Sequence, residues 1–89
     1  MAWTIEYARS VRKSVDKMDA QTRRRIRDFL ENRVTQLVDP RSLGDTLTGP
    51  LKGCWRYRVG DYRIICKIED QRLVILVVEI GHRGEVYRQ

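Results

Sequence analysis

The rhythm of hydrophobic and polar positions changes along the chain, and each rhythm predicts a different element. Residues 3–7 alternate large apolar with polar side chains, which predicts a short first strand. Ala8, Val11, Val15 and Met18 then recur at steps of three and four, while Arg9, Arg12, Lys13 and Asp16 fall on the other side, as in one amphipathic helix. Asp19 offers an N-cap for a second helix, in which Ile26, Phe29, Leu30, Val34, Leu37 and Val38 form a continuous apolar stripe until Asp39-Pro40 stops it. These two helices pair as a hairpin. Residues 39–50 contain Pro40, Gly44, Gly49 and Pro50 and predict an ordered connection pinned by Leu43 and Leu47.

From Leu51 the period drops to two, and Gly60-Asp61 between Val59 and Tyr62 reads as a two-residue hairpin turn. Counting outward sets Val59 against Tyr62, Arg58 against Arg63, Tyr57 against Ile64, Arg56 against Ile65 and Trp55 against Cys66. Trp55, Tyr57, Val59, Tyr62, Ile64 and Cys66 then share the core side, and Cys54, Arg56, Arg58, Arg63 and Lys67 share the other. After a turn near Asp70-Gln71, residues 73–78 are apolar without alternation, the pattern of a strand covered on both faces and placed inside the sheet. Gly81-His82-Arg83-Gly84 ends that strand, and Val86-Tyr87 begins a tail that folds back over the sheet. The expected fold class is α+β: an N-terminal strand, a helical hairpin and an antiparallel three-stranded meander, in one small sheet packed on the helices. Residues 1–89 form a single domain in this reading.

Composition sharpens the picture. Basic residues outnumber acidic ones 18 to 12, a net charge of +6, and 14 of the 18 are arginine. The arginine fork matches phosphate geometry, so this balance favours a nucleic acid or an acidic protein as partner. Two cysteines on opposite sheet faces exclude a disulfide scaffold, and neither has a second thiol or a histidine at metal-site spacing. No apolar leader or membrane-length run is present, so a soluble, cytoplasmic protein with no membrane partner is expected.

Arg58 directly opposite Arg63 costs the hairpin roughly a few tenths of a kcal/mol, which an anionic ligand would offset. Arg56 lies two residues along the same face and Arg83 leaves the last strand nearby, so four guanidinium groups either converge on a phosphate or fan into solvent. Tyr87, four residues after Arg83, can stack on a base, move a proton or pin the tail; a base role needs cations to stabilise the phenolate, whose ordinary pKa is about 10. His82, the single histidine, is the alternative acid or base, or a structural residue. Arg23 and Arg27 share a helix face that can touch a phosphate backbone, with Asp28 and Glu31 available as partners one turn away. Paired carboxylates, a serine elbow, a glycine-rich phosphate loop and a metal-ligand cluster are all lacking, so any catalysis is expected to need neither metal nor cofactor.

The segment Trp55-Arg56-Tyr57-Arg58-Val59-Gly60-Asp61-Tyr62-Arg63 and the pair Ile80-Gly81-His82-Arg83 and Val86-Tyr87 resemble the RelE/ParE toxin superfamily, in particular its RelE branch. The resemblance implies a type II toxin that enters the ribosomal A site on the small subunit, contacts ribosomal RNA, and cuts messenger RNA by activating a ribose 2′-hydroxyl against the adjacent phosphate. A RelB-like antitoxin would neutralise it, and operator DNA would be met only through the antitoxin complex. Carried over by position, Tyr87 assists proton removal, Arg83 protonates or stabilises the leaving oxygen, and Arg63 binds the scissile phosphate. Arg56 and Arg58 stand where relatives often have lysine; because arginine loses its proton far less readily than lysine, they stabilise charge rather than act as bases. Lys52, Lys67, His82, Arg23 and Arg27 join them as RNA-binding candidates. An acidic or amphipathic antitoxin segment is expected across the apolar grooves, covering the arginines. Two other readings share these features: a ParE-like inhibitor of DNA gyrase without nuclease activity, and a plain basic nucleic-acid-binding module.

Overall fold

A computed structural model of the chain describes residues 3–82. In chain order it contains β1 (Thr4–Tyr7), α1 (Arg9–Asp16), α2 (Ala20–Asp28), β2 (Asp45–Thr46), β3 (Trp55–Val59), β4 (Tyr62–Glu69) and β5 (Val74–His82). The strands make one five-stranded sheet in the order β1-β5-β4-β3-β2. The expected meander is β3-β4-β5, antiparallel throughout, and to it are added β1, parallel to β5, and the two-residue β2 at the far edge beside β3.

The hairpin register is the counted one. Gly60 sits at φ +59° while Asp61 does not share that region, the arrangement of a turn with glycine at its first central position. Val59 faces Tyr62, and the pairs run on to Trp55 opposite Cys66. Tyr57, Ile64 and Cys66 enter a core with Val11, Ile26, Leu30, Val34, Ile75, Val77 and Ile80, and Trp55, Val59 and Tyr62 pack against it. The helices therefore cover one face of the sheet. On the other face Cys54 and Ile65 are buried with Leu47 and Val78 against them, and both cysteines are free.

Residues 73–78 lose their alternation for a reason the pattern alone does not contain. Ile65 pairs with Glu79 but Cys66 pairs with Val77, so Val78 is an extra residue, a β-bulge. The bulge resets the alternation: Ile80 on one side of it and Val77 and Ile75 on the other all point into the core. The strand starts at Val74, because Leu73 occupies the turn at φ 54°, and it continues through Gly81 and His82 instead of ending at Gly81.

The second helix also departs from expectation. Asp19 caps it, accepting from the backbone N–H of Thr22 at 3.1 Å and from its hydroxyl at 2.7 Å. After Asp28, however, the turn widens to π-type over Phe29–Arg33, where the Val34 N–H reaches the carbonyls of both Leu30 and Phe29, and then tightens to a 3-10 turn over Val34–Gln36. The helical path ends at Gln36, short of Asp39-Pro40. Leu30 and Val34 stay fully buried, but the apolar stripe does not extend to Val38, which is 91% exposed.

Three aromatic side chains hold the irregular stretch that follows. Trp3 Nε1 donates to the Val38 carbonyl at 3.4 Å, Tyr57 Oη to that of Pro40 at 2.7 Å and Trp55 Nε1 to that of Leu43 at 2.6 Å. Arg41 adds a two-pronged bond to Asp70 at the β4–β5 turn, with distances of 3.0 and 2.8 Å. Among the described residues no helix is long and apolar enough to cross a membrane.

The Tyr57 hydroxyl is the buried member of this set. Tyr57→Phe keeps the ring in the core but strands the Pro40 carbonyl, and the expected cost is about 1–2 kcal/mol. Urea unfolding checks it: the midpoint falls while the slope is unchanged.

Candidate functional site

The outer face of the sheet is built in rows by strand register. One row contains Arg58, Arg63 and Gly81, and the next contains Asp45, Arg56, Ile65 and Glu79. Arg58 and Arg63 are therefore side by side on neighbouring strands, with a glycine completing the row on β5. Arg58 is exposed and Arg63 half-buried, and among the described residues neither makes an ion pair. Like charges held opposite each other disfavour the hairpin, and no carboxylate in their own row relieves them.

Arg56 is in a different position. Its guanidinium donates to Asp45 Oδ2 at 2.8 Å, a pair set up by the register of β2 on β3. Gly44 makes this approach feasible: at φ +85° its backbone lies against the Arg56 carbonyl and 2.7 Å separates Trp55 Nε1 from the place a β-carbon would occupy. The hydrogen bond from Arg56, reinforced by the fields of Arg56 and Arg58, holds the Asp45 carboxyl below the ordinary carboxylate range. Asp45 and Glu79 thus bracket the row that contains Arg56. Sequence reasoning missed both acids. Gly44-Asp45 carried a weak signal as a turn dipeptide, whereas the placement of Glu79 depends on the bulge.

A cleft of about 460 Å³ opens beside these arginines, lined by Phe29, Arg33, Leu43, Gly44, Tyr57 and Arg58 together with Asp45. Of the remaining candidates, Lys52 is exposed in the turn just before β3, and Lys67 is exposed on the outer face opposite Leu76, four residues along β4 from Arg63 and so about 13 Å away. His82 pairs in register with Tyr62, on the side of the sheet that carries the helices, and its ring meets the Tyr62 ring edge-on at 5.2 Å. Arg25, not among the candidates, reaches from α2 to within 3.3 Å of the position of a Gly60 β-carbon.

Arg23 and Arg27 lie in the helical layer, with the sheet between them and the arginine rows. Arg23 Nη1 donates to the carbonyls of Val15 and Met18, each at 3.3 Å, so it closes the C-terminal end of α1. Arg27 Nε stands 3.9 Å from Glu31, which also accepts from the Tyr7 hydroxyl at 2.8 Å. Arg83 and Tyr87 lie outside the described residues. Among the described residues no three His, Cys, Asp or Glu side chains gather as a metal site.

Comparison with known proteins follows this geometry. Residues 5–87 match the family described as ParE toxin of type II toxin-antitoxin system, parDE. Toxin RelG of Mycobacterium tuberculosis is 22% identical over 89 residues, the whole of both chains. The fold is shared with a chain of the toxin-antitoxin complex RelBE2 of Mycobacterium tuberculosis, with TM-score 0.83 and 20% identity over 96% of this chain and 95% of that one. It is shared also with a chain of the archaeal RelE-RelB complex of Pyrococcus horikoshii, with TM-score 0.72 and 25% identity over 96% and 99%.

The Asp45–Arg56 pair makes a signed prediction. The Asp45 carboxyl titrates below its ordinary value of 3.8 when folded, so the pair contributes stability above that pH and loses it as pH falls through the depressed folded value. Asp45→Asn should unfold at lower urea than wild type at pH 6, and the two midpoints should converge as the pH falls below the ordinary carboxylate range. Because the carboxylate is exposed, the gap at pH 6 should be small.

Proposed function

Because the chain belongs to the RelE/ParE superfamily of type II toxins, matching the ParE toxin family over residues 5–87, we propose that it acts as a RelE-like endoribonuclease that cuts messenger RNA in the ribosomal A site. A type II toxin of this kind has a cognate antitoxin as its partner, and complexes of this fold with RelB are represented among the related structures. The observation that carries the nuclease reading is the Arg58–Arg63 row: two guanidinium groups side by side on an outer face, with no acid in their row, fit a ligand of concentrated negative charge.

In the proposed reaction the ribose 2′-oxygen attacks the adjacent phosphorus, the bond from phosphorus to the 5′-oxygen breaks, and the products are a 2′,3′-cyclic phosphate and a 5′-hydroxyl. The 2′ proton passes to the phenolate of Tyr87, and the leaving 5′-oxygen takes its proton from Arg83 or is stabilised by it, whereas His82 faces the helix side of the sheet, away from Arg58 and Arg63. Arg63 and Arg58 hold the phosphate and the charge that develops on it, and Arg56, anchored by Asp45, stabilises the same charge from the neighbouring row. This chemistry uses no metal or cofactor. A site without a strong base relies on its substrate being held in line, which is the advantage that positioning on the ribosome supplies. Lys52 and Lys67 extend the RNA contact along the outer face, ribosomal RNA serves as the second nucleic-acid partner, and operator DNA is met only through the antitoxin complex.

A second reading is kept because the matching family is named for ParE: a gyrase inhibitor with the same fold and no RNA chemistry. The two separate experimentally. Primer extension on a message in a purified translation system should show cuts that require ribosomes, and Arg63→Ala should slow them about 10² to 10³-fold while the circular dichroism spectrum is unchanged. Tyr87→Phe should weaken them as well. A folded wild-type preparation that cuts nothing but blocks supercoiling by gyrase would establish the second reading instead.

A further inference from the structure

The reaction proposed above leaves the cleft beside the arginine rows without a role. That cleft opens at the edge of β3, because β2 pairs only with Trp55 and Arg56 and does not continue past them. Val59 and Tyr62 close the hairpin as a hydrogen-bonded pair, so Arg58, one residue back, turns its backbone N–H and C=O away from β4 and toward the open edge. Arg58 is also a member of the arginine row, so a ligand held by that row has the cleft directly beside it.

The lining is of two kinds. Tyr57, buried, and Phe29, half-buried, make an aromatic floor, their rings meeting edge-on at 5.8 Å, with Leu43 beside them. Arg33 is exposed and carries its guanidinium 5.8 Å from the centroid of the Phe29 ring, so a planar group entering the cleft meets an aromatic ring and a guanidinium together. Asp45 adds a carboxylate whose Oδ2 accepts from Arg56, which leaves Oδ1 for another donor. The volume of about 460 Å³ exceeds the roughly 150 Å³ that admits a benzene ring.

This combination selects its ligand. A phosphate has no use for the aromatic floor and is repelled by Asp45, and an aliphatic side chain leaves Asp45 and the Arg58 backbone unpaired. A nucleobase uses both kinds of surface, with a π face for Phe29 and Arg33 and a hydrogen-bonding edge for Asp45 and Arg58. The carboxylate also discriminates among bases. It accepts from the amino group of cytosine, adenine or guanine, whereas uracil sets two carbonyl oxygens around its single edge N–H and is repelled. We propose that the cleft between Phe29, Arg33, Asp45 and Arg58 is a nucleobase subsite, which takes the base next to the phosphate held by Arg58 and Arg63 and disfavours uracil there. The inference deepens the nuclease reading and rests on it for the phosphate at the arginine row.

Cleavage on ribosomes by the full-length protein tests it, with messages that carry an abasic nucleotide on one or the other side of the cut. At one of the two positions wild type should cut the abasic message about tenfold more slowly than its parent. Arg33→Ala changes an exposed side chain; it should cut the parent about tenfold more slowly and the abasic message within about twofold of that, because base and guanidinium act as one pair. A merely structural effect of the substitution would leave the abasic penalty at full size. With uracil at the same position wild type should cut about tenfold more slowly than with cytosine. Asp45→Asn, which replaces the carboxylate by an amide that both donates and accepts, should bring the two within about threefold, whatever its absolute rate. Equal cutting of parent and abasic messages at both positions, an abasic penalty of the same size in wild type and Arg33→Ala, or equal cutting beside uracil and cytosine overturns the subsite while the nuclease reading stands. A wild-type protein that cuts no message fails the nuclease reading, and calorimetric titration with cytidine 3′-monophosphate and uridine 3′-monophosphate then decides the subsite. Binding of the cytidine nucleotide about tenfold tighter, and lost in Arg33→Ala, upholds it; no binding, equal binding of the two, or binding unchanged in Arg33→Ala overturns it.

Discussion

The two-residue turn at Gly60-Asp61 is the constraint on which the rest of the molecule depends. It sets the β3–β4 register, and in a sheet a slip of one residue moves every side chain to the opposite face. Such a slip would send Arg58 and Arg63 toward the helices and leave Tyr57, Ile64 and Cys66 in water. The core and the arginine row are thus two results of one choice. The same register gives Trp55 and Tyr57 the positions from which they bind the carbonyls of Leu43 and Pro40, and the loop so held delivers Asp45 to Arg56. A turn, a clamp of aromatic hydrogen bonds and an ion pair form one chain of cause, each link fixing the next.

What could be read from the sequence was local. The hairpin register, the two faces and the Asp19 cap follow from spacings of a few residues, where turn geometry and side-chain period act directly. The parallel pairing of β1 with β5 joins segments about 70 residues apart, and no local pattern encodes it. The strand β2 is two residues long and exists because Gly44 packs on Trp55, so propensity gives no sign of it. Val78 looked like one more member of an apolar run until pairing with β4 made it the bulge. The widened turn after Asp28 likewise rotates the stripe that a regular helix would have carried to Val38.

Site legibility divides along the same line. The opposition of Arg58 and Arg63 could be counted, but the acids that bracket Arg56 could not, because one sits in an irregular loop and the other beyond the bulge. Arg23 and Arg27 do share a helix face, yet what each touches depends on how α1 ends and where Glu31 falls. Two cationic surfaces result, separated by the sheet: one of arginines side by side on exposed strands, the other around Arg23 and Arg27 in the helical layer. Bare opposed guanidinium groups suit phosphates.

The central claim is that the arginine face drives attack by a ribose 2′-hydroxyl. The most direct measurement is cleavage of a ribosome-bound message carrying a single 2′-deoxynucleotide on the 5′ side of the cut. Loss of cutting at that position, with neighbouring positions still cut, is the expected result. Cutting at the deoxy position at the rate of the all-ribose message would contradict the claim.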